Sequence, residues 1–190
     1  MPIVFATRND HKRIEVAALL ALPLATLDEV GIGDDPPETS DTFVGNALQK
    51  ARFTLARCGL WTVADDSGLE VDALGGAPGV HSKRFSPEQT GEANNQLLLE
   101  LLGRRTDRTA RFRCVVALVG PTGEEHVLEG VCEGQIAFEG RGSAGFGYDP
   151  LFLPVEAPGR TLAELTLQEK NAISHRGRAF TQLLGLLSRL

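Results

Sequence analysis

The chain has 190 residues, of which 42% are hydrophobic and 23% charged, with a formal net charge of −6. That length supports one domain, residues 1–190, with a core large enough to need no staples, and the acid balance excludes general affinity for nucleic acid or for an anionic membrane surface. Three cysteines, Cys58, Cys114 and Cys132, are widely spaced and lack CxxC or Cys/His ligand spacing, so the expectation is reduced thiols in a cytoplasmic protein.

The N-terminus enters an apolar run at once, without the basic region and long apolar core of a secretory signal, and no stretch approaches the roughly 18 apolar residues that cross a membrane. Residues 2–6 read as a buried strand. Asn9 is a good N-cap for a helix over 10–21. Residues 24–30 read as a second strand, and 31–40 as a polar, proline-rich loop. Phe43, Ala47, Ala51 and Leu55 recur at helical spacing within a helix over 41–58. Residues 60–64 return to strand and 69–74 form another, with Asp65-Asp66-Ser67-Gly68 as a turn between them. Ser86-Pro87-Glu88-Gln89 reads as the start of a helix to residue 102. Residues 109–119 and 126–138 are β-rich and antiparallel around Pro121-Thr122-Gly123. Residues 140–147 are glycine-rich, Thr161–Glu164 and Thr166–Glu169 each match a capping box, and a last helix runs from 177 to 190. Interleaved helices and strands with a late antiparallel pair predict an α/β fold: a mixed sheet with flanking helices.

Four segments carry residues suited to chemistry. In Thr7-Arg8-Asn9-Asp10-His11-Lys12 a strand ends where a helix begins. The helix N-terminus and Lys12 suit an anion, although no Walker A spacing is present. Glu38, on the polar loop, would combine with Asp65 or Asp66 to give the one or two carboxylates that Mg²⁺ commonly takes beside substrate phosphates. Alternation along a strand turns Asp65 and Asp66 to opposite sides. Lys50 lies mid-helix among apolar neighbours. In Gly145-Phe146-Gly147-Tyr148-Asp149 two glycines flank an aromatic on which a flat base could stack, with Asp149 accepting from its edge. The bland alternative is a β-turn with Phe146 in the core. Finally, Lys170 precedes Ser174-His175-Arg176, where Ser174 reads as the N-cap of the last helix and His175 and Arg176 as donors at its start.

Taken in order, Thr7-x-Asn9-x-x-Lys12, Ala64-Asp-Asp-Ser-Gly-Leu69 with Gly75-Gly-Ala-Pro-Gly79, Phe146-Gly-Tyr-Asp149 and Ser174-His-Arg176 resemble the inosine/xanthosine triphosphate pyrophosphatases over nearly the whole chain. The resemblance implies a long mixed β-sheet with flanking helices and two lobes around a central cleft. It implies a Mg²⁺-dependent homodimer that hydrolyses ITP, dITP and XTP to the monophosphate and pyrophosphate, clearing deaminated purines from the nucleotide pool. By motif position, Thr7, Arg8, Asn9, Asp10, His11 and Lys12 would hold the triphosphate, with Lys50 in support. Glu38 and Asp66 would be metal ligands, Asp66 also the general base, and Ser67 would touch substrate. Phe146, Gly147, Tyr148, Asp149, Lys170, His175 and Arg176 would form the base pocket. Arg176, carrying only donors, would donate to the O6 of inosine and be left unpaired by the amino group of adenine. Two departures stand out. Pro37-Glu38 replaces an acidic pair found in many members, and Arg8 replaces a small residue. Competing expectations are a pyrophosphatase for other nucleotides, like the related septum-formation-inhibitor-like enzymes, and a nucleotide-binding regulator without turnover.

Overall fold

A computed structural model describes residues 2–20 and 22–189. Its strands are β1 (Ile3–Phe5), β2 (Leu24–Ala25), β3 (Trp61–Val71), β4 (Thr109–Val119), β5 (Glu125–Ile136) and β6 (Phe152–Pro154). Its α-helices are α1 (Asp10–Leu19), α2 (Phe43–Cys58), α3 (Gly91–Leu102), α4 (Leu167–Ile173) and α5 (His175–Leu187). One six-stranded sheet has the order β2-β1-β3-β4-β5-β6. β1 pairs in parallel with β2 and β3, whereas β6 runs antiparallel to β5. The sheet is mixed and helices flank it, as the sequence predicts. The expected ends of the first helix at Ala21 and of the last at Leu190 lie outside the described residues.

The chain forms two compact units. The first comprises Met1–Asp66, Cys114–Gly130 and Arg176–Leu190. Its core joins Ile3, Phe5, Val16, Val63, Val116, Ala179, Phe180 and Leu183. Phe5 meets Phe180 edge-on at 5.7 Å between ring centroids. Full burial of side chains of this size contributes about 1.5–3 kcal/mol each. Asn9 caps α1 by accepting from the Lys12 amide, and Thr42 caps α2 by accepting from the Gly45 amide. Gly59 ends α2 in the left-handed region at φ 67°, where the lack of a Cβ removes the steric cost.

The second unit comprises Ser67–Arg113 and Val131–His175. Leu69, Val71, Leu98, Leu102, Phe112, Tyr148, Phe152 and Leu162 form its core. Both anticipated capping boxes are present: one opens a single 3₁₀ turn after Thr161, the other opens α4 after Thr166.

Three expectations give way. The strand at 24–30 shrinks to Leu24–Ala25, because Thr26 and Glu29 bond reciprocally: the Thr26 amide donates to Glu29 Oε2 and the Glu29 amide to Thr26 Oγ1. That is capping-box chemistry, which closes a turn. The turn expected at Asp65–Gly68 is continuous strand within β3. Its carboxylates bond to lysines and an asparagine on neighbouring helices, long-range partners that compete with a local Asx turn. The helix expected from Ser86 begins at Gly91, capped by Thr90. Residues 86–89 instead close as a turn, with the Gln89 amide donating to the Ser86 carbonyl and Gln89 at φ 54°.

Candidate active site

In the first unit, β3 delivers two adjacent carboxylates in opposite directions, as strand alternation requires. Asp65 Oδ2 lies 3.0 Å from Lys12 Nζ of α1 and 3.2 Å from Arg176 Nη2 of α5. The Cys114 thiol donates to the same oxygen at 3.8 Å. Asp66 turns to α2, where Asn46 Nδ2 donates to its Oδ2 at 3.0 Å and Lys50 Nζ stands 3.8 Å from its Oδ1. Lys50 also bonds to Glu38. Asn46 and Lys50 reach one carboxylate together because residues four apart share a helix face.

Burial lifts the Asp66 carboxyl above its ordinary range; Lys50, Lys12 and the Asn46 amide pull the other way without cancelling it. Burial pulls the Lys50 ammonium down, but Asp66, Asp65 and Glu38 outweigh it and leave it above its usual value. The ion-pair set around Asp65 and Asp66 joins three cations, Lys12, Lys50 and Arg176, with four acids, Glu15, Glu38, Asp65 and Asp66. Two of those acids, Glu38 and Asp66, converge on one ammonium. Among the described residues no three His, Cys, Asp or Glu side chains form a cation cage. A pair of carboxylates fits a hard cation that completes its shell with water and phosphate oxygens.

The rest of the 7–12 segment divides by geometry. Thr7 Oγ1 accepts from the Asn9 amide and Asn9 Oδ1 from the Lys12 amide, so both shape the helix start. Asp10 is exposed and pairs with Arg13, and His11 is exposed. Arg8 does not reach toward Lys12. Its guanidinium pairs with Asp28 and Asp35 and donates to the carbonyls of Ile32 and Gly33, stapling the loop that leads to Glu38. Its fork geometry suits those acceptors.

Arg176 sits among acids at the start of α5. It is 1% exposed. Nη1 donates to Glu15 Oε2 at 2.6 Å, while Nη2 and Nε reach Asp65 Oδ2 at 3.2 and 3.4 Å. Burial lowers its pKa, yet Asp65 and Glu15 more than restore it, so the guanidinium is charged. This geometry makes Arg176 a brace for Asp65 and Glu15. Glu15 and Asn46 were not singled out from sequence. The available signal was spacing: Glu15 lies three residues after Lys12, and Asn46 four before Lys50.

In the second unit, residues 146–149 form a pinned loop. The Phe146 amide donates to Asp149 Oδ2 at 2.8 Å, and the Asp149 amide to the Phe146 carbonyl at 3.2 Å. Asn95 Nδ2 donates to the Gly147 carbonyl, and the Tyr148 hydroxyl to the Ser82 carbonyl. It is Tyr148, not Phe146, that enters the core, and burial raises its phenol pKa. Phe146 stays half-buried beside a groove of about 440 Å³ lined also by Gly91, Asn95, Leu99, Ser143 and Pro150. Lys170 is buried, bonds to Asp149 Oδ2 and holds its ammonium 5.0 Å from the centroid of the Phe146 ring. His175 stacks on Phe112 at 4.6 Å between ring centroids, 11° from coplanar. Ser67 is half-buried on β3. Ser174 caps the end of α4, its amide donating to the Lys170 carbonyl, immediately before α5 begins.

Gly145 is fixed by this loop. It sits at φ 74°, and a Cβ there would lie 2.0 Å from Asp149 Oδ2. Gly145→Ala is therefore expected to displace the Asp149 carboxylate from Lys170 at a cost of about 1–3 kcal/mol. A thermal melt should show the loss, and a raised KM should accompany it.

Residues 3–186 match the Ham1 family. The sequence is 49% identical over 189 residues to a Porphyromonas gingivalis protein named dITP/XTP pyrophosphatase, covering 97% of this chain and 96% of the relative. A protein of the same name from Christiangramia forsetii is 45% identical over 192 residues, covering both chains fully. Among solved structures, the Staphylococcus aureus Ham1 protein gives a TM-score of 0.89 at 37% identity, covering 99% of this chain and 98% of that one. A HAM1 protein from Coxiella burnetii gives 0.90 at 43% identity over the whole of both chains.

Proposed function

The chain belongs to the Ham1 family, and on that footing we propose that it hydrolyses ITP, dITP and XTP to the monophosphate and pyrophosphate, removing deaminated purines from the nucleotide pool. The observation that carries this reading is the pair of acid–ammonium sets in the first unit: Lys12 with Asp65, and Lys50 with Glu38 and Asp66. Phosphoryl-type transfer is governed by positioning and charge stabilisation, and these groups supply both.

In this reading the ammonium groups of Lys12 and Lys50 neutralise the triphosphate, with the α1 N-terminus adding its partial positive charge. Glu38 and Asp66 would hold Mg²⁺. When bound, that ion would offset phosphate charge and polarise the α-phosphorus. Asp66 takes a proton from the attacking water. The new P–O bond forms at the α-phosphorus, the bond to the α–β bridging oxygen breaks, and pyrophosphate leaves. Burial has already raised the Asp66 pKa, which moves a carboxylate toward the pH at which a base works well.

Phe146 and Lys170 are the proposed readers of the base. The Phe146 ring offers a stacking face, worth roughly 1–3 kcal/mol for a nucleobase. Lys170 Nζ, held beside that ring by Asp149, is a donor only. It satisfies the O6 of hypoxanthine or xanthine and opposes the amino group of adenine. A site built on such a bond can reject the analogue by about 10⁴-fold. Ser67 and His175 belong to the same proposed set. The homodimer and the cytoplasmic location implied by the resemblance are part of this proposal too, and light scattering of the purified chain tests the first. No helix among the described residues is long and apolar enough to cross a membrane.

A nucleotide panel assayed for pyrophosphate tests the whole reading. ITP, dITP and XTP should each yield one pyrophosphate and one monophosphate, and chelation of divalent cations should stop the reaction. Preference for a pyrimidine triphosphate, or release of orthophosphate, would overturn it.

A further inference from the structure

We propose that Asn46 is a positioning residue that sets Asp66 and Glu38 together, through a single buried amide; the proposal rests on the functional reading above. Asn46 is 1% exposed, on the second turn of α2. Its Nδ2 donates to Asp66 Oδ2 at 3.0 Å, and its Oδ1 accepts from the Ser40 amide at 2.8 Å. Only one orientation of the amide satisfies both partners. A backbone N–H can only donate and a carboxylate can only accept, so flipping the group would set donor against donor and acceptor against acceptor. The side chain is thereby locked at both ends.

Each bond places one carboxylate. Asn46 engages Oδ2 of Asp66 while Lys50, one turn later, addresses Oδ1, and the two together fix the plane of the carboxylate. Ser40 lies two residues beyond Glu38. Its tether works beside a second one, in which Gln49 accepts from the Thr39 amide and donates to Thr39 Oγ1. On the far side of Glu38, Arg8 holds the carbonyls of Ile32 and Gly33. The acid loop is thus anchored before and after Glu38, and Asn46 is the anchor shared with Asp66. Packing alone does not ask for asparagine here. It is a middling helix former, and a buried amide costs free energy unless it is bonded. The two bonds are its use.

The test compares the wild type, Asn46→Ala and Asn46→Asp. Groups that orient a reacting or ligating side chain typically change activity or metal affinity by roughly 10–100-fold. Asn46→Ala should lower kcat for dITP by that factor, with a smaller change in KM. In the protein without substrate or metal, hydrogen exchange at the Ser40 amide should accelerate. Asn46→Asp, assayed at alkaline pH, should keep Ser40 protected, because a carboxylate still accepts, and yet lose turnover, because it no longer donates to Asp66. Asp66→Ala should speed exchange of the Asn46 side-chain amide and leave Ser40 protected. If Asn46→Ala does not fold, Asn46→Asp decides. Turnover within threefold of wild type in either folded variant, or unaltered exchange at Ser40 in Asn46→Ala, overturns the proposal. A wild-type chain inert on dITP would sink the functional reading instead, and the two exchange measurements would still decide what Asn46 holds.

Discussion

Asp66→Asn is expected to lose turnover by about 10²–10⁴-fold, the range a positioned general base supplies, while its melting temperature holds or rises. The two halves of that result have one cause. Burial raises the pKa of Asp66 in spite of Lys50 and Lys12. An acid whose pKa is higher folded than unfolded binds its proton more tightly in the fold, so stability is lost as the pH climbs through the folded pKa. Near neutrality, an ionised Asp66 therefore weighs against the fold, and its neutral isostere does not. Asn46 Nδ2 can still donate to the amide oxygen, and Lys50, which then faces the amide nitrogen, retains Glu38. Activity and stability pull apart here because the site needs a charge that the interior disfavours. Pyrophosphate release and a thermal melt on one sample measure both. A variant turning over within tenfold of wild type would remove Asp66 from the role of base.

Elements with a strong local signal were legible from sequence. The N-cap at Asn9, the boxes at Thr161 and Thr166, and the hairpin turn between β4 and β5 rest on bonds between near neighbours in the chain. Their residues name them. The motif segments were legible for the same reason, each being contiguous. What could not be read was partnership across long separations. Asp65-Asp66-Ser67-Gly68 has the composition of a turn. It is strand because Lys12, Arg176, Lys50 and Asn46, 20 to 111 residues away where hydrogen-bonded by Asn46 and Arg176, hold its carboxylates. Arg176 was assigned by its motif to a ligand, with nothing in that motif to show Glu15 waiting for it on α1. Arg8 is similar: its acceptors include two backbone carbonyls, and carbonyls carry no sequence signature.

The same long-range partnership gives the largest stability effect. Arg176, Glu15 and Asp65 are each at most 4% exposed at the side chain and share one guanidinium. Removing one member of a buried ionic set leaves the others uncompensated and costs about 3–5 kcal/mol. Arg176→Ala takes the shared guanidinium from Glu15 and from Asp65, which keeps Lys12, and for a domain of this size the loss corresponds to a fall in melting temperature of roughly 6–20 °C. Arg176→Lys should rescue little, since one ammonium cannot reproduce the fork that spans Glu15 and Asp65. The double variant Glu15→Gln/Arg176→Met should recover part of the loss by removing a carboxylate along with its cation. These outcomes separate a brace from a base contact. A brace shows itself first in the melt, and in turnover only through a displaced Asp65. A base contact would leave the melt unmoved and erode the preference for ITP over ATP, which would return Arg176 to the base pocket.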